Sequence, residues 1–68
     1  MITISKRIKE LRTEVGITQV ELAEKIGVNQ ATIANYEKNR RHPDIQTIKK
    51  LCDCFEVSAD YLLGFSDY

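Results

Sequence analysis

Lys38-Asn39-Arg40-Arg41-His42 is the stretch with the plainest chemistry: three fixed cations and an imidazole within five residues, enough to neutralise phosphates on one face. A solvated basic loop is the bland alternative. Charge is balanced overall, 10 Lys+Arg against 10 Asp+Glu, but it is unevenly spread. Residues 1–42 hold eight basic and five acidic side chains, net +3, while residues 43–68 hold two and five, net −3. The field is polarised, so the zero total does not exclude a polyanionic partner. Cys52 and Cys54 form a C-x-C pair; on a helix, side chains two apart diverge and cannot close a disulfide. Cys52 reads as core and Cys54 as nearer the surface. A zinc site asks for four ligands, and His42 is the only histidine, so neither a metal nor another cofactor is expected. His42, beside Pro43, reads as a turn residue or a phosphate neighbour. No nucleophile, base and acid can be assembled, nor a glycine loop to cradle phosphate, and the expectation is a protein that is not an enzyme.

A chain of 68 residues with 43% apolar and 29% charged side chains is one folded domain, here taken as 1–68, with a small core. Such a chain buries about 60% of the surface its unfolded form exposes, which favours a binding module over a deep catalytic cleft. No apolar run approaches the roughly 20 residues that cross a bilayer, and MITISKRIKE lacks the apolar stretch of a secretory signal. The expectation is a soluble, cytoplasmic protein with no membrane partner.

The elements that must position the basic loop are all helical by periodicity. Ile4, Ile8, Leu11 and Val15 form one stripe, and Gly16 stands where a first helix should stop. Thr18-Gln19-Val20-Glu21 is a capping box, so a second helix starts there, with Leu22, Ala23 and Ile26 inward and Gly27 as its end. Asn29 can cap a third helix from about Gln30 to Asn39, with Ile33 and Tyr36 inward. The short link between the second and third helices forces a steep crossing, the helix-turn-helix arrangement. Pro43 and Asp44 open a fourth helix whose stripe is Ile45, Ile48, Leu51, Cys52 and Phe55, and Ser58 caps a fifth from Ala59 to Leu63, ended by Gly64. The spacing thus predicts an all-α fold, a compact five-helix bundle.

Arg12 and Glu37 each lie at the margin of an inward face, where a lone buried charge is unfavourable. Either they pair with each other, tying the first helix to the third through a bidentate bridge, or both lie on the rim and face water.

From Gln19 onward, QVELAEKIGVNQATIANYEK places a small residue (Ala23), a glycine (Gly27) and large apolar groups (Leu22, Ile33, Tyr36) where two helices crossing steeply require them. With RIKELR before it and HPDIQTIKKL and VSADYLLG after it, the chain resembles the phage-repressor/Cro-like helix-turn-helix family, the xenobiotic-response-element group of bacterial regulators. The resemblance implies a lambda-repressor-like DNA-binding domain, its helix-turn-helix at about 19–38, with the third helix in the DNA major groove. It assigns base readout to Gln30, Ala31, Thr32 and Asn35. A Gln amide complements adenine N6 and N7, Ala31 and the Thr32 methyl suit a thymine methyl, and Asn35 reaches a base only on deep insertion, otherwise a phosphate. It assigns phosphate contacts to Thr18 and Gln19, where free amides and the dipole favour an anion, and to Asn29, Lys38, Asn39, Arg40 and Arg41. In similar proteins the Gln at position 19 also braces the first side chain of the recognition helix. The Ser-Arg often found at the positions of Asn29-Gln30 is missing, which leans the expected half-site towards A·T pairs.

One uncharged helix specifies only a few base pairs, so the expected partner of the double-stranded DNA is a homodimer on an inverted repeat. Helix 5 and the tail, residues 58–68, supply candidate dimer contacts in Tyr61, Leu63, Phe65 and Tyr68, with Leu62 or Leu63 completing the core. The function expected is a transcriptional regulator, in first place a repressor. The alternative is a protein-interaction module on the same fold, such as an antitoxin or an adaptor with an unidentified protein partner, in which DNA binding is secondary.

Overall fold

The structure, a computed structural model, describes residues 3–67. Among these residues five α-helices follow in order: α1 (Ile4–Val15), α2 (Gln19–Ile26), α3 (Gln30–Glu37), α4 (Ile45–Phe55) and α5 (Ala59–Leu62). Each start is set by a side chain that accepts from a free backbone amide in the first turn: Thr3, Thr18, Asn29, Asp44 and Ser58. At α2 the reciprocal half is also present, since the Thr18 N–H donates to Glu21 Oε1 at 3.0 Å while the Glu21 N–H donates to Thr18 Oγ1 at 3.1 Å. Gly16 and Gly27 end α1 and α2 at φ of +84° and +75°, a region that side chains with a Cβ rarely adopt. Gly27, Val28 and Asn29 are then the whole link between α2 and α3, and it fixes their crossing.

The helices close around Ile8, Leu22, Ile33, Leu51 and Leu62, one fully buried residue from each of the five elements, with Leu11, Ala23, Ile26 and Tyr36 completing the core. Helix α3 packs on α1 and α2, α4 packs on α2, and α5 closes the bundle against α4 and α1. The small side chain at Ala23 is buried at 3% exposure in this core, where a bulkier one would have to displace its neighbours.

The boundaries differ from the sequence expectation at two ends. Helix α3 stops at Glu37 rather than Asn39, because Asn39 turns to φ +59° and the Arg40 N–H returns to the Asn35 carbonyl. Helix α5 stops at Leu62, with Leu63 as its cap. Two residues expected inside are outside: Ile45 is 84% exposed and Val15 60%. Ile45 opens α4 and Val15 closes α1, so each lies at a helix end.

The Glu21 and Asp44 carboxylates are both held below their ordinary range by the backbone amides they cap, those of Thr18 and Thr47. Their contribution to stability is therefore complete above the unfolded-state carboxylate range and is lost as pH falls through the lower folded values, below about pH 4. Asp44→Asn keeps an oxygen for the Thr47 N–H but carries no charge. Urea denaturation across pH should show the variant less stable than the parent at pH 7 and the two converging in acid.

Candidate nucleic-acid interface

The site is built outward from a buried ion pair. Arg12 on α1 donates from Nε to Glu37 Oε2 at 2.6 Å and from NH2 to Glu37 Oε1 at 3.1 Å, and the two side chains are only 13% and 5% exposed. Of the alternatives left open by the sequence, this is the bidentate bridge. The third arm of the guanidinium, NH1, donates to the Ile17 carbonyl at 2.9 Å and so fastens the turn between α1 and α2. Hydrogen bonding to Glu37 raises the Arg12 pKa above its ordinary value against the opposing effect of burial.

Glu37 has a further ligand. Gln19 Nε2, from the first residue of α2, donates to Glu37 Oε1 at 3.0 Å, and Gln19 Oε1 accepts from Gln30 Nε2 at 2.6 Å. A continuous chain of side chains thus runs Arg12–Glu37–Gln19–Gln30, from the packed interior to the exposed first residue of α3. The brace between Gln19 and Gln30 is the one that the family resemblance implies. The Gln19–Glu37 contact was not legible in the sequence, where the two residues lie 18 positions apart and nothing in their spacing couples them.

Around Gln30, Ala31 is exposed and Asn35 is half-buried one turn further along α3. The structure places Thr32 differently from its neighbours. It is buried, and both its N–H and its hydroxyl donate to Asn29 Oδ1 at 2.8 Å, which makes it part of the cap of α3 instead of the open surface. Because both of those groups act as donors here, the Asn29 carboxamide keeps its oxygen towards the helix and turns its NH2 group away from the cap. Thr18, Asn29, Lys38, Asn39, Arg40 and Arg41 are all exposed. The N-terminal ends of α2 and α3, with their free amides, and the basic loop after α3 therefore flank the Gln30 surface in sequence.

At α5 and just after it, Phe65 is 74% exposed and Leu63 is half-buried, while Leu62 is the residue of α5 that completes the core. Tyr61 lies under the Arg7 guanidinium, 3.9 Å from its ring centroid, a contact between α1 and α5 that sequence reading missed. Arg7 is 7% exposed and, among the described residues, its Nε has no hydrogen-bond partner; the face of the Tyr61 ring stabilises this cation. Tyr68 lies outside the described residues. Cys52 and Cys54 are both free and half-buried. Burial, with Asp53 adding to it, pushes the Cys52 thiol up, and Cys54 borders a shallow depression with Lys25, Lys50 and Asp53. Among the described residues no group of three or more His, Cys, Asp or Glu could hold a metal ion, and no helix is long and apolar enough to cross a membrane.

Five helices with this crossing of α2 and α3, and with polar side chains at the head of α3, define a lambda-repressor-like helix-turn-helix domain. The helix-turn-helix family pattern matches residues 8–62, and the chain belongs to that family, the Cro/C1-type group. It is 45% identical over 62 residues to the HTH-type transcriptional regulator ImmR of Bacillus subtilis, across 91% of this chain and 49% of ImmR. The chain therefore spans about half the length of that relative. Its fold superposes on the P22 c2 repressor protein in complex with a synthetic operator at a TM-score of 0.90, with 26% identity, covering 97% of this chain and 100% of that one. It superposes on SinR, the Bacillus subtilis master regulator for biofilm formation in complex with DNA, at 0.81 with 38% identity, covering 88% of this chain and 97% of that one.

Arg12→Met should lower the unfolding free energy by about 3 kcal/mol, because it leaves the Glu37 carboxylate buried without its counter-charge. The double variant Arg12→Met/Glu37→Leu should recover part of that loss, since an apolar pair replaces the ion pair. Chemical denaturation of the parent, the single and the double variants checks both.

Proposed function

We propose that this chain is the sequence-specific DNA-binding domain of a transcriptional regulator, a repressor that binds double-stranded DNA as a homodimer on an inverted repeat. The observation that carries the reading is the hydrogen-bonded chain ending at Gln30. A polar side chain at the exposed tip of a helix, held in one orientation by a buried ion pair two residues away in the chain of contacts, is organised for recognition. A solvated glutamine needs no such support.

In this reading α3 enters the major groove and Gln30, Ala31 and Asn35 face the bases, with Thr32 acting through the cap it shares with Asn29. The oxygen and second N–H left on Gln30 complement adenine. Thr18, Gln19 and Asn29 bind phosphates on one flank, and Lys38, Asn39, Arg40 and Arg41 bind them on the other. That the ImmR relative is a transcriptional regulator, and that the superposed P22 c2 repressor and SinR were captured on DNA, supports the assignment. The acidic C-terminal segment, residues 43–68 with net −3, keeps the DNA to one side of the molecule. Symmetry brings two such helices to successive grooves about 34 Å apart. The exposed Phe65 and the neighbouring Leu63 are the apolar surface of the tail available for that contact. The protein acts in the cytoplasm and is nucleoid-associated when bound.

Binding to duplexes selected from a random pool tests the reading. Gln30→Ala should lose about 1–3 kcal/mol on the selected site and little on random DNA. Arg40→Ala or Arg41→Ala should weaken both kinds of duplex together and reduce the salt slope by about 1 each. Selection of no sequence by the parent at moderate salt would contradict it. Phe65→Glu should shift sedimentation equilibrium towards the monomer while the fold, followed by circular dichroism, persists.

A further inference from the structure

We propose that Glu37, whose side chain is 5% exposed, determines which base Gln30 reads, by fixing through Gln19 the order of donor and acceptor on the outward edge of the Gln30 side chain. The inference rests on Gln30 being a base-reading residue, and it makes Glu37 a positioning residue in addition to its part in the ion pair.

Each orientation in the chain is forced by the one before it. Arginine only donates and an ionised carboxylate only accepts. Glu37 Oε1 therefore requires the NH2 end of the Gln19 carboxamide, 3.0 Å away, and this turns Gln19 Oε1 towards Gln30. Gln30 must answer with its own NH2 end, at 2.6 Å. What is left on Gln30 is its oxygen and one N–H, an acceptor beside a donor, which complements the N6 amino group and N7 of adenine. A relay of the opposite polarity would turn the Gln30 oxygen inward and leave two N–H donors outside, the complement of O6 and N7 of guanine. One buried group at the root of the chain thus selects between two readings of the same side chain.

Glu37→Gln reverses the relay by this logic. Arg12 Nε, which meets Glu37 Oε2 at 2.6 Å, still demands an oxygen there. The new amide then places its NH2 group where Oε1 stood, and Arg12 NH2, which met that oxygen at the longer distance of 3.1 Å, loses its acceptor, so the variant is less stable than the parent. The new NH2 group donates to Gln19, Gln19 turns over and donates to Gln30, and Gln30 presents its NH2 to the groove. A residue with a stabilising role alone would weaken binding to every duplex evenly when replaced, and would leave base preference unchanged.

The experiment is selection from a random duplex pool, followed by competition between adenine- and guanine-containing duplexes. It uses the full chain as parent, Glu37→Gln and Gln19→Met, each checked for helicity at the temperature of selection. The parent should favour adenine over guanine by about tenfold at one position of each half-site. Glu37→Gln should favour guanine at that same position with the other positions unchanged. Gln19→Met, which cuts the relay and leaves the ion pair intact, should bring the ratio towards parity. Should Glu37→Gln not fold, Gln19→Met decides alone. Retention of the parent's adenine preference by the folded variants, with affinity merely lowered, overturns the inference and leaves DNA reading by Gln30 standing. Absence of any base preference in the parent overturns that underlying reading and this inference with it.

Discussion

Two opposite charges enclosed where α1, α2 and α3 meet constrain everything at the functional end of this molecule. A buried carboxylate and guanidinium are each unfavourable alone, and their attraction offsets desolvation only when the geometry is good and the remaining donors and acceptors are used. Here they are used: Arg12 gives three hydrogen bonds, two to Glu37 and one to the Ile17 carbonyl, and Glu37 accepts a third from Gln19. That set of bonds reaches the C-terminal turn of α1, the α1–α2 turn, the first residue of α2 and the last of α3. A shift of any one of these elements breaks a charged hydrogen bond between side chains that are 13% and 5% exposed. The apolar core sets how closely the helices pack, and the ion pair sets where the head of α2 stands against α3.

On the proposed function, affinity and selectivity separate physically on this surface. The cations Lys38, Arg40 and Arg41 and the free amides at the heads of α2 and α3 attract phosphate whatever the sequence, and salt screens that attraction. In the proposed reading selectivity comes from uncharged groups, the Gln30 and Asn35 amides, whose hydrogen bonds are short-ranged and directional, and the methyl group of Ala31. An amide reads a base well only when its two ends cannot exchange places. The Glu37 carboxylate behind Gln19 and Gln30 orients both amides without adding charge to the exposed surface of α3.

Much of the fold was legible because its punctuation is local. Thr18 with Glu21, Asn29, Asp44 and Ser58 mark helix starts by hydrogen bonds to amides three residues on, and Gly16 and Gly27 mark ends by backbone conformation; both are properties of short segments. Arg12 and Glu37 were also recognisable, since charges at the margins of two apolar faces call for each other. Ile45 and Val15 were misplaced because periodicity reports the angle of a residue around its helix and says nothing of whether a neighbour extends far enough along the axis to cover it. Thr32 was taken for a surface residue by its position in the recognition helix, whereas its hydroxyl competes for the Asn29 oxygen and draws it inward. The stack of Arg7 on Tyr61 and the Gln19–Glu37 bond join residues far apart in sequence, and no local pattern encodes such meetings.

The central claim is that the Gln30 carboxamide is held before any DNA arrives. Nitrogen relaxation of the side-chain NH2 groups in the free protein tests it most directly, with Gln46, exposed on α4, as an internal standard. The account requires order parameters for Gln19 and Gln30 near the rigid-backbone value of about 0.85, with Gln46 below about 0.6. A Gln30 amide as mobile as that of Gln46 would contradict it.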